Sequence, residues 1–544
     1  MSIINLTIGE LLERQVELYP NHEAVVYPES NVRKTYSEFN TIVNQMAKGF
    51  LSLGIKKGDH VAIWSDNKFE WLISQFATAK IGAVLVTVNT NYQADELEYL
   101  LKQSDSMTLI MAERYKSSNY VNILNKVCPT IKQAEKGDVH SEKLPYLKNI
   151  IVLNDKHYEY AFNWNEVIQR SHEIDDKQLD TIKNALHYDE VINMQYTSGT
   201  TGFPKGVMLS HYNIINNAHQ IGNRMKLTEK DRICIPVPFF HTFGCVLGIL
   251  TAVAKGSTMV IIEQFDAEEV LEAVSKEKCT ALHGVPTMFI AELNHPRFHE
   301  FDLSHLRTGI MAGSTCPIEV MRDVMNKMGA TEITICYGLT ECSPVIMQTT
   351  VDDPIELKVS TVGKIHPNIE AKIINPETLK EVGPHEPGEL ITRGYHVMKG
   401  YYKNEEATNE TIDEDGWLYT GDIATVDENG YYTITGRSKD VIIRGGENIY
   451  PREIEEFLYK NPKIVDVQVV GVPDEKYGEE VMACIILKEN EQATEEAIQA
   501  FCEGQISRHK IPKYIMFLDE YPMTASGKIQ KYKLKEIALE NIKV

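Results

Sequence analysis

The 544-residue sequence is short of positive charge: 55 Lys and Arg stand against 77 Asp and Glu, a formal net charge of −22. Sequence-independent binding of DNA or RNA depends on neutralising phosphates with cations, so nucleic acid is not expected as a partner. An anionic ligand would need a local group of donors, which makes single Lys and Arg residues in glycine-rich loops the informative ones. Paired cysteines are missing as well. The nine cysteines are odd in number, widely spread and never spaced C-x-x-C. That argues against a disulfide framework or a zinc site and fits a reducing, cytoplasmic setting. Most of them read as small buried apolar residues. The opening MSIINLTIGELLERQ lacks a basic segment followed by an apolar run, so no secretory signal is expected. The most apolar stretch, 245–254 (CVLGILTAVA), falls far short of the roughly 20 residues that span a bilayer and reads as a buried helix.

What is present is an alternation of short β-rich runs and helical patterns. HVAIWS (60–65), AVLVTVN (83–89), MTLIMA (107–112), NIIVLN (149–154), TMVIIE (258–263) and CTALHGV (279–285) are strand candidates. Patterns such as EWLISQFATAKIG and DELEYLLKQSD lie between them as helices. Such a rhythm indicates βαβ units and parallel sheets, and the length allows several domains at roughly 100–200 residues each. The polar span 126–148 reads as a surface loop or weak helix. After about residue 360, turn-rich segments (GPHEPGEL, DEDGWLYTGD, DENGYY) separate short strands, as in a small β-rich subdomain. A last α+β unit begins with PREIEEFLYKNP, with Pro at a helix start, and the junction falls near TGRSKD (435–440).

The stretch 196–206, YTSGTTGFPKG, combines hydroxyls, three glycines and one lysine, a composition suited to phosphate oxygens. A Walker A loop needs Gly directly before its Lys and a hydroxyl directly after. Here Pro204 and Gly206 hold those places, so a P-loop NTPase is excluded. What remains is a loop lined by Ser198, Thr200, Thr201 and Lys205.

This loop does not stand alone. PFFHTFG (238–244), GVPTM (284–288), YGLTE (337–341), GWLYTGD (416–422), TGRSKDVIIRGGENIYP (435–451) and TASGKI (524–529) follow it in order. Together these motifs resemble the adenylate-forming superfamily of acyl-CoA synthetases, nonribosomal adenylation domains and luciferases, over the whole chain. The resemblance implies an α/β fold: a large N-terminal domain of βα subdomains with parallel sheets (1–436, with a β-rich part from about 350), a hinge at 437–440 and a small mobile α+β domain (441–544).

It also implies a reaction. ATP, with Mg²⁺, would convert a carboxylic acid to acyl-AMP and pyrophosphate, and coenzyme A would take the acyl group. Thr197, Ser198, Gly199, Thr200, Thr201 and Lys205 are then expected on the β- and γ-phosphates. Tyr337 would stack on adenine, with Gly313 and Gly338 allowing close approach. Thr340 would touch the α-phosphate, Glu341 would hold Mg²⁺, and Asp422 would take the ribose hydroxyls, with Arg437 beside them. Lys528 would stabilise the charge developing in adenylation. Lys439 would be the hinge, and Gly445 and Gly446 would enter for the CoA arm.

His241 is expected near the acid's carboxylate. Phe243, Val285, Met311, Ala312, Cys336 and Val345 would wall an apolar acyl pocket. No Asp stands in PFFHTFG to pair with an α-ammonium, which argues against an amino acid. No carrier segment follows Val544, which favours free CoA. Fatty-acyl-CoA synthetases are the most similar group. A 4-coumarate-type ligase, an acyl-AMP ligase loading a carrier protein, a luciferase-like oxidative enzyme and an inactive scaffold stay open, as do a homodimer and transient membrane contact.

Overall fold

The computed structural model describes residues 3–197, 204–314, 316–437, 440–445, 447–474, 476–524 and 527–542. Its body is two large, mainly parallel sheets. One has nine strands and contains Arg232–Ile235, Thr258–Ile261, Ala281–Gly284, Thr308–Met311 and Thr334–Gly338 in parallel. The other has eight and contains His60–Trp64, Val84–Thr87, Thr108–Met111, Asn149–Val152 and Val191–Thr197 in parallel. The strand candidates of the sequence are all present, trimmed at their ends.

These strands are apolar almost throughout because both faces are covered. In His60–Trp64, Val61 and Ile63 join the main core, whereas Ala62 and Trp64 join a second cluster on the opposite face. The main core also takes Ile233, Ile235, Ala281 and Ile310 from the nine-stranded sheet, so it lies between the two sheets. The helix Phe69–Ile81 is enclosed there, with every residue from Trp71 to Ile81 buried. Its Lys80 is tolerated because its ammonium donates to Glu13 at 2.6 Å and to Asn40 and Asn44 at 2.7 Å.

The apolar run at 245–254 is a buried helix, as its composition suggests, but Phe243–Leu250 is wound as a π-helix before Thr251–Lys255 continues as α. The polar span 126–148 is largely irregular, yet Val127, Cys128, Ile131, Val139, Leu144 and Leu147 are buried in the second cluster. All nine cysteines are buried and free.

A four-stranded antiparallel sheet follows, ending in Leu418–Val426 and Tyr432–Arg437. The small C-terminal domain begins after it, with five strands and the helices Pro451–Leu458, Glu495–Cys502 and Lys531–Ile542. Pro451 occupies the first helical turn, where its missing N–H costs nothing. No helix of the described residues is long and apolar enough to cross a membrane.

Candidate active site

The phosphate loop is framed by a hairpin. Val191–Thr197 runs antiparallel to Lys205–Ser210, with Thr197 opposite Lys205. The intervening Ser198, Gly199, Thr200 and Thr201 lie outside the described residues. The Lys205 ammonium stands 4.3 Å from the ring centroid of Tyr401, within cation–π range. Tyr401 arrives on the two-residue strand Gly400–Tyr401, which pairs with Lys205–Ser210 from the far side.

The Tyr401 hydroxyl donates to Glu341 Oε1 at 2.8 Å. Burial, reinforced by that carboxylate, pushes the phenol's pKa up, so it remains a donor. Glu341 sits in the 3₁₀ turn Thr340–Cys342, and its carbonyl accepts from the Met398 N–H at 2.9 Å. Among the described residues its Oε2 accepts no hydrogen bond and the Thr340 hydroxyl makes none. A carboxylate oxygen without a partner among the described residues, linked through Tyr401 to Lys205, fits Mg²⁺ carried on a polyphosphate.

Next to this turn, the Tyr337 hydroxyl donates to Asp422 Oδ2, and Arg437 Nε lies 3.4 Å from Asp422 Oδ1. Asp422 is buried, which raises its pKa against the opposing pull of Arg437. Each carboxylate oxygen has two lone pairs, so Asp422 can still accept from a diol. The close approaches seen at the two predicted glycines are to protein. A Cβ on Gly338 would lie 1.8 Å from the Pro344 carbonyl oxygen. A Cβ on Gly313 would lie 3.1 Å from Val285 Cγ1 and 3.2 Å from Lys528 Cε, and Gly313 has φ +94°.

Lys528 thus reaches the N-terminal domain. Its loop is tied by the Thr524 N–H to the Lys528 carbonyl at 2.7 Å, and it docks where the Thr287 hydroxyl donates to the Gly527 carbonyl at 3.2 Å. Lys528 Nζ stands 3.4 Å from His241 Nε2. Protein packed around the ammonium, with the Arg437 cation, pulls its pKa down to about 8. Burial and the same Lys528 hold His241 well below its usual value, so the imidazole is neutral. His241 Nδ1 accepts from the Phe243 N–H at 3.2 Å, which places the ring proton on Nε2, facing the lysine. Two donors therefore face each other, with no acceptor between them among the described residues.

Phe243, Val285, Ala312, Cys336 and Val345 are buried in the main core, and Phe243 and Val285 both border Gly313 beside Lys528. Met311 is not brought to them: it lies in another cluster, because alternate residues of a strand face opposite sides of the sheet. Gly445 (φ +61°) lies at the turn between Ile442–Arg444 and Glu447–Ile449, against Tyr477, within the C-terminal sheet. Lys439 and Gly446 lie outside the described residues.

The sequence reading missed Tyr401 and Thr287. For Tyr401 the usable cue is a hydroxylated aromatic after Gly400 in a turn-rich segment, a weak one. Removing only its hydroxyl, Tyr401→Phe, should raise the KM for Mg-ATP by about tenfold, from the loss of one charge-assisted hydrogen bond, with the KM for the acid unchanged. A titration of initial rates against free Mg²⁺ reads this, and equal rises in both KM values would count against it.

Comparison with known proteins decides the family. Residues 12–402 match the family described as AMP-binding enzyme, and residues 453–528 match the AMP-binding enzyme C-terminal domain. The chain belongs to the AMP-binding enzyme family. It is 57% identical over 538 residues to the putative acyl-CoA synthetase YngI of Bacillus subtilis (strain 168), covering 99% of this chain and 98% of that protein. It is 43% identical over 542 residues to the mitochondrial medium-chain acyl-CoA ligase ACSF2 of Bos taurus, covering 98% of this chain and 88% of the other. Among solved structures it resembles the anthranilate CoA ligase AuaEII in complex with anthranoyl-AMP. The TM-score is 0.87 at 27% identity, over 100% of this chain and 99% of that one.

Proposed function

We propose that this AMP-binding enzyme is an acid–CoA ligase that activates a medium-chain fatty acid in the cytoplasm. The observation that carries the reading is the facing pair of donors, Lys528 Nζ and His241 Nε2, set against the apolar wall of Phe243 and Val285. A carboxylate placed there supplies the missing acceptor and leaves its alkyl chain among apolar side chains. The fatty-acid assignment is supported by the acyl-CoA synthetase and medium-chain ligase relatives.

In the first half-reaction a carboxylate oxygen attacks the α-phosphorus of ATP, and the bond to the bridging oxygen of pyrophosphate breaks. Catalysis of this kind is positioning and charge stabilisation. Tyr337, Asp422 and Arg437 hold the nucleoside that stays, while Thr197 and Lys205 hold the phosphates that leave. Glu341, oriented by Tyr401, would hold Mg²⁺, which when bound draws negative charge from the phosphates. Lys528 lies against the reacting oxygens. In the second half-reaction the CoA sulfur attacks the acyl carbon, AMP leaves, and the thiol proton passes to solvent. For that step the C-terminal domain would turn about 437–440, withdrawing Lys528 and presenting Gly445 and Gly446 to the pantetheine arm.

Acid-dependent ATP–pyrophosphate exchange tests the reading, with linear acids from butanoate to octadecanoate beside benzoate, anthranilate and 4-coumarate. At about 0.8 kcal/mol per buried CH₂, each two-carbon extension should raise kcat/KM about tenfold until the pocket is full. A maximum at medium chain length is expected. An aromatic acid as the best substrate, or no exchange with any linear acid, would overturn it.

A further inference from the structure

Away from this site, a cavity of about 260 Å³ opens between the helices Ile8–Leu18, His211–Arg224 and Thr251–Lys255. Three basic side chains line it: Arg14 at the exposed rim, His219 and Lys255. Leu11, Leu18 and Leu227 line it as well, with Leu18 55% exposed although it is a large apolar residue. The Lys255 stem is laid across Gly222, where a Cβ would stand 2.4 Å from Lys255 Cε. Among the described residues its ammonium has only the neutral Asn223 carboxamide as a hydrogen-bond partner. The Nδ1 atom of His219 is buried with no partner among the described residues.

No carboxylate of the described residues lies within 4 Å of any of the three, although Glu229 also lines the cavity. Burial first, then Lys255 and Arg14, lower the pKa of His219 to about 4, and burial alone lowers Lys255 to about 8. In a chain with 77 acidic residues and 55 basic ones, Lys255, half-buried and with no carboxylate within 4 Å among the described residues, is a charge that a bound anion would stabilise.

We propose that this cavity is a second ligand site, for a short alkyl carboxylate. Its oxygens pair with Arg14 and Lys255, and its chain packs against Leu11, Leu18 and Leu227. The apolar side of the wall selects this class over inorganic phosphate. The site stands at the far end of the helical run whose first residues, from Phe243, border the proposed acid site. It does not depend on the proposed function.

Equilibrium dialysis of labelled hexanoate against the full chain tests it, with and without an alkyl sulfamoyl-adenosine occupying the adenylate site. One equivalent of hexanoate should remain bound with the analogue present. Arg14→Gln and Lys255→Met should each weaken it by about tenfold, the loss of one charged hydrogen bond. Leu18→Glu, at the exposed rim, should weaken it by about tenfold, and acetate should compete about a hundredfold less well than hexanoate. Thermal unfolding checks that each variant is folded.

Hexanoate binding that disappears with the analogue, or that persists unchanged in folded Leu18→Glu and Lys255→Met, overturns the proposal. Phosphate competing better than hexanoate overturns the ligand class. An analogue that fails to bind counts against the proposed function instead, and the variants still report on the second site through the dialysis without it.

Discussion

Lys528→Ala is expected to lower acid-dependent ATP–pyrophosphate exchange by roughly 10²–10³-fold, the usual effect of removing one preorganised charge from a reacting centre. Thioester formation from supplied acyl-AMP and CoA should change by no more than a few-fold, since Lys528 is withdrawn for that step in the proposed cycle. The pH dependence gives an independent check. The ammonium titrates at about 8 because burial and Arg437 disfavour its charge. The cation is present below that pH and lost above it, so kcat/KM for adenylation should fall as pH rises through about 8. With ATP bound, polyphosphate charge favours the ammonium, and the corresponding limb of kcat should lie higher. Lys528→Arg should abolish the alkaline limb, because a guanidinium does not titrate there. Equal loss of both half-reactions in folded Lys528→Ala would overturn the division of labour.

The parts of the fold that were legible are those whose burial leaves a periodic trace. Parallel strands covered on both faces read as apolar runs, and His60–Trp64, Val84–Thr87 and Thr108–Met111 appear where those runs stand. Met311 shows the same rule neglected. Ile310 and Ala312 flank it in the main core, and a period-two reading of that strand would have turned Met311 to the other face. The strand Gly400–Tyr401 is different in kind. Two residues carry no period, and their pairing with Lys205–Ser210 is a long-range contact that local sequence does not encode. That contact makes Tyr401 the link between Lys205 and Glu341, two residues found from their motifs without any sign of what joins them. The π-winding of Phe243–Leu250 was hidden for a related reason: composition reports that a helix is buried, not how its hydrogen bonds are spaced. Gly313 was named from the family resemblance, but what it must clear became evident only with Lys528 in place.

Gly313→Val should reproduce most of the Lys528→Ala defect without touching a reacting group. Two constraints converge on this position. Its φ of +94° is one that residues with a Cβ rarely adopt, at a cost of about 1–2 kcal/mol for a non-glycine. A Cβ there would stand 3.1 Å from Val285 Cγ1 and 3.2 Å from Lys528 Cε, tighter than ordinary van der Waals contact. Val285 is locked in the core, whereas Lys528 is the end of a flexible side chain on a docked loop. The branched side chain of valine should therefore be relieved at the expense of Lys528, moving its ammonium away from His241. A displacement of about 1 Å at a reacting centre costs on the order of 10²-fold in rate, so exchange should fall by about that factor. Thioester formation from supplied acyl-AMP, with Lys528 withdrawn, should be affected far less. Gly313→Ala, with fewer atoms to place, should fall between wild type and valine. The decisive comparison is the double variant Gly313→Val with Lys528→Ala. If valine acts through Lys528, the two losses in adenylation should not multiply. Losses that multiply would mean that Gly313 serves the acid or the nucleotide directly.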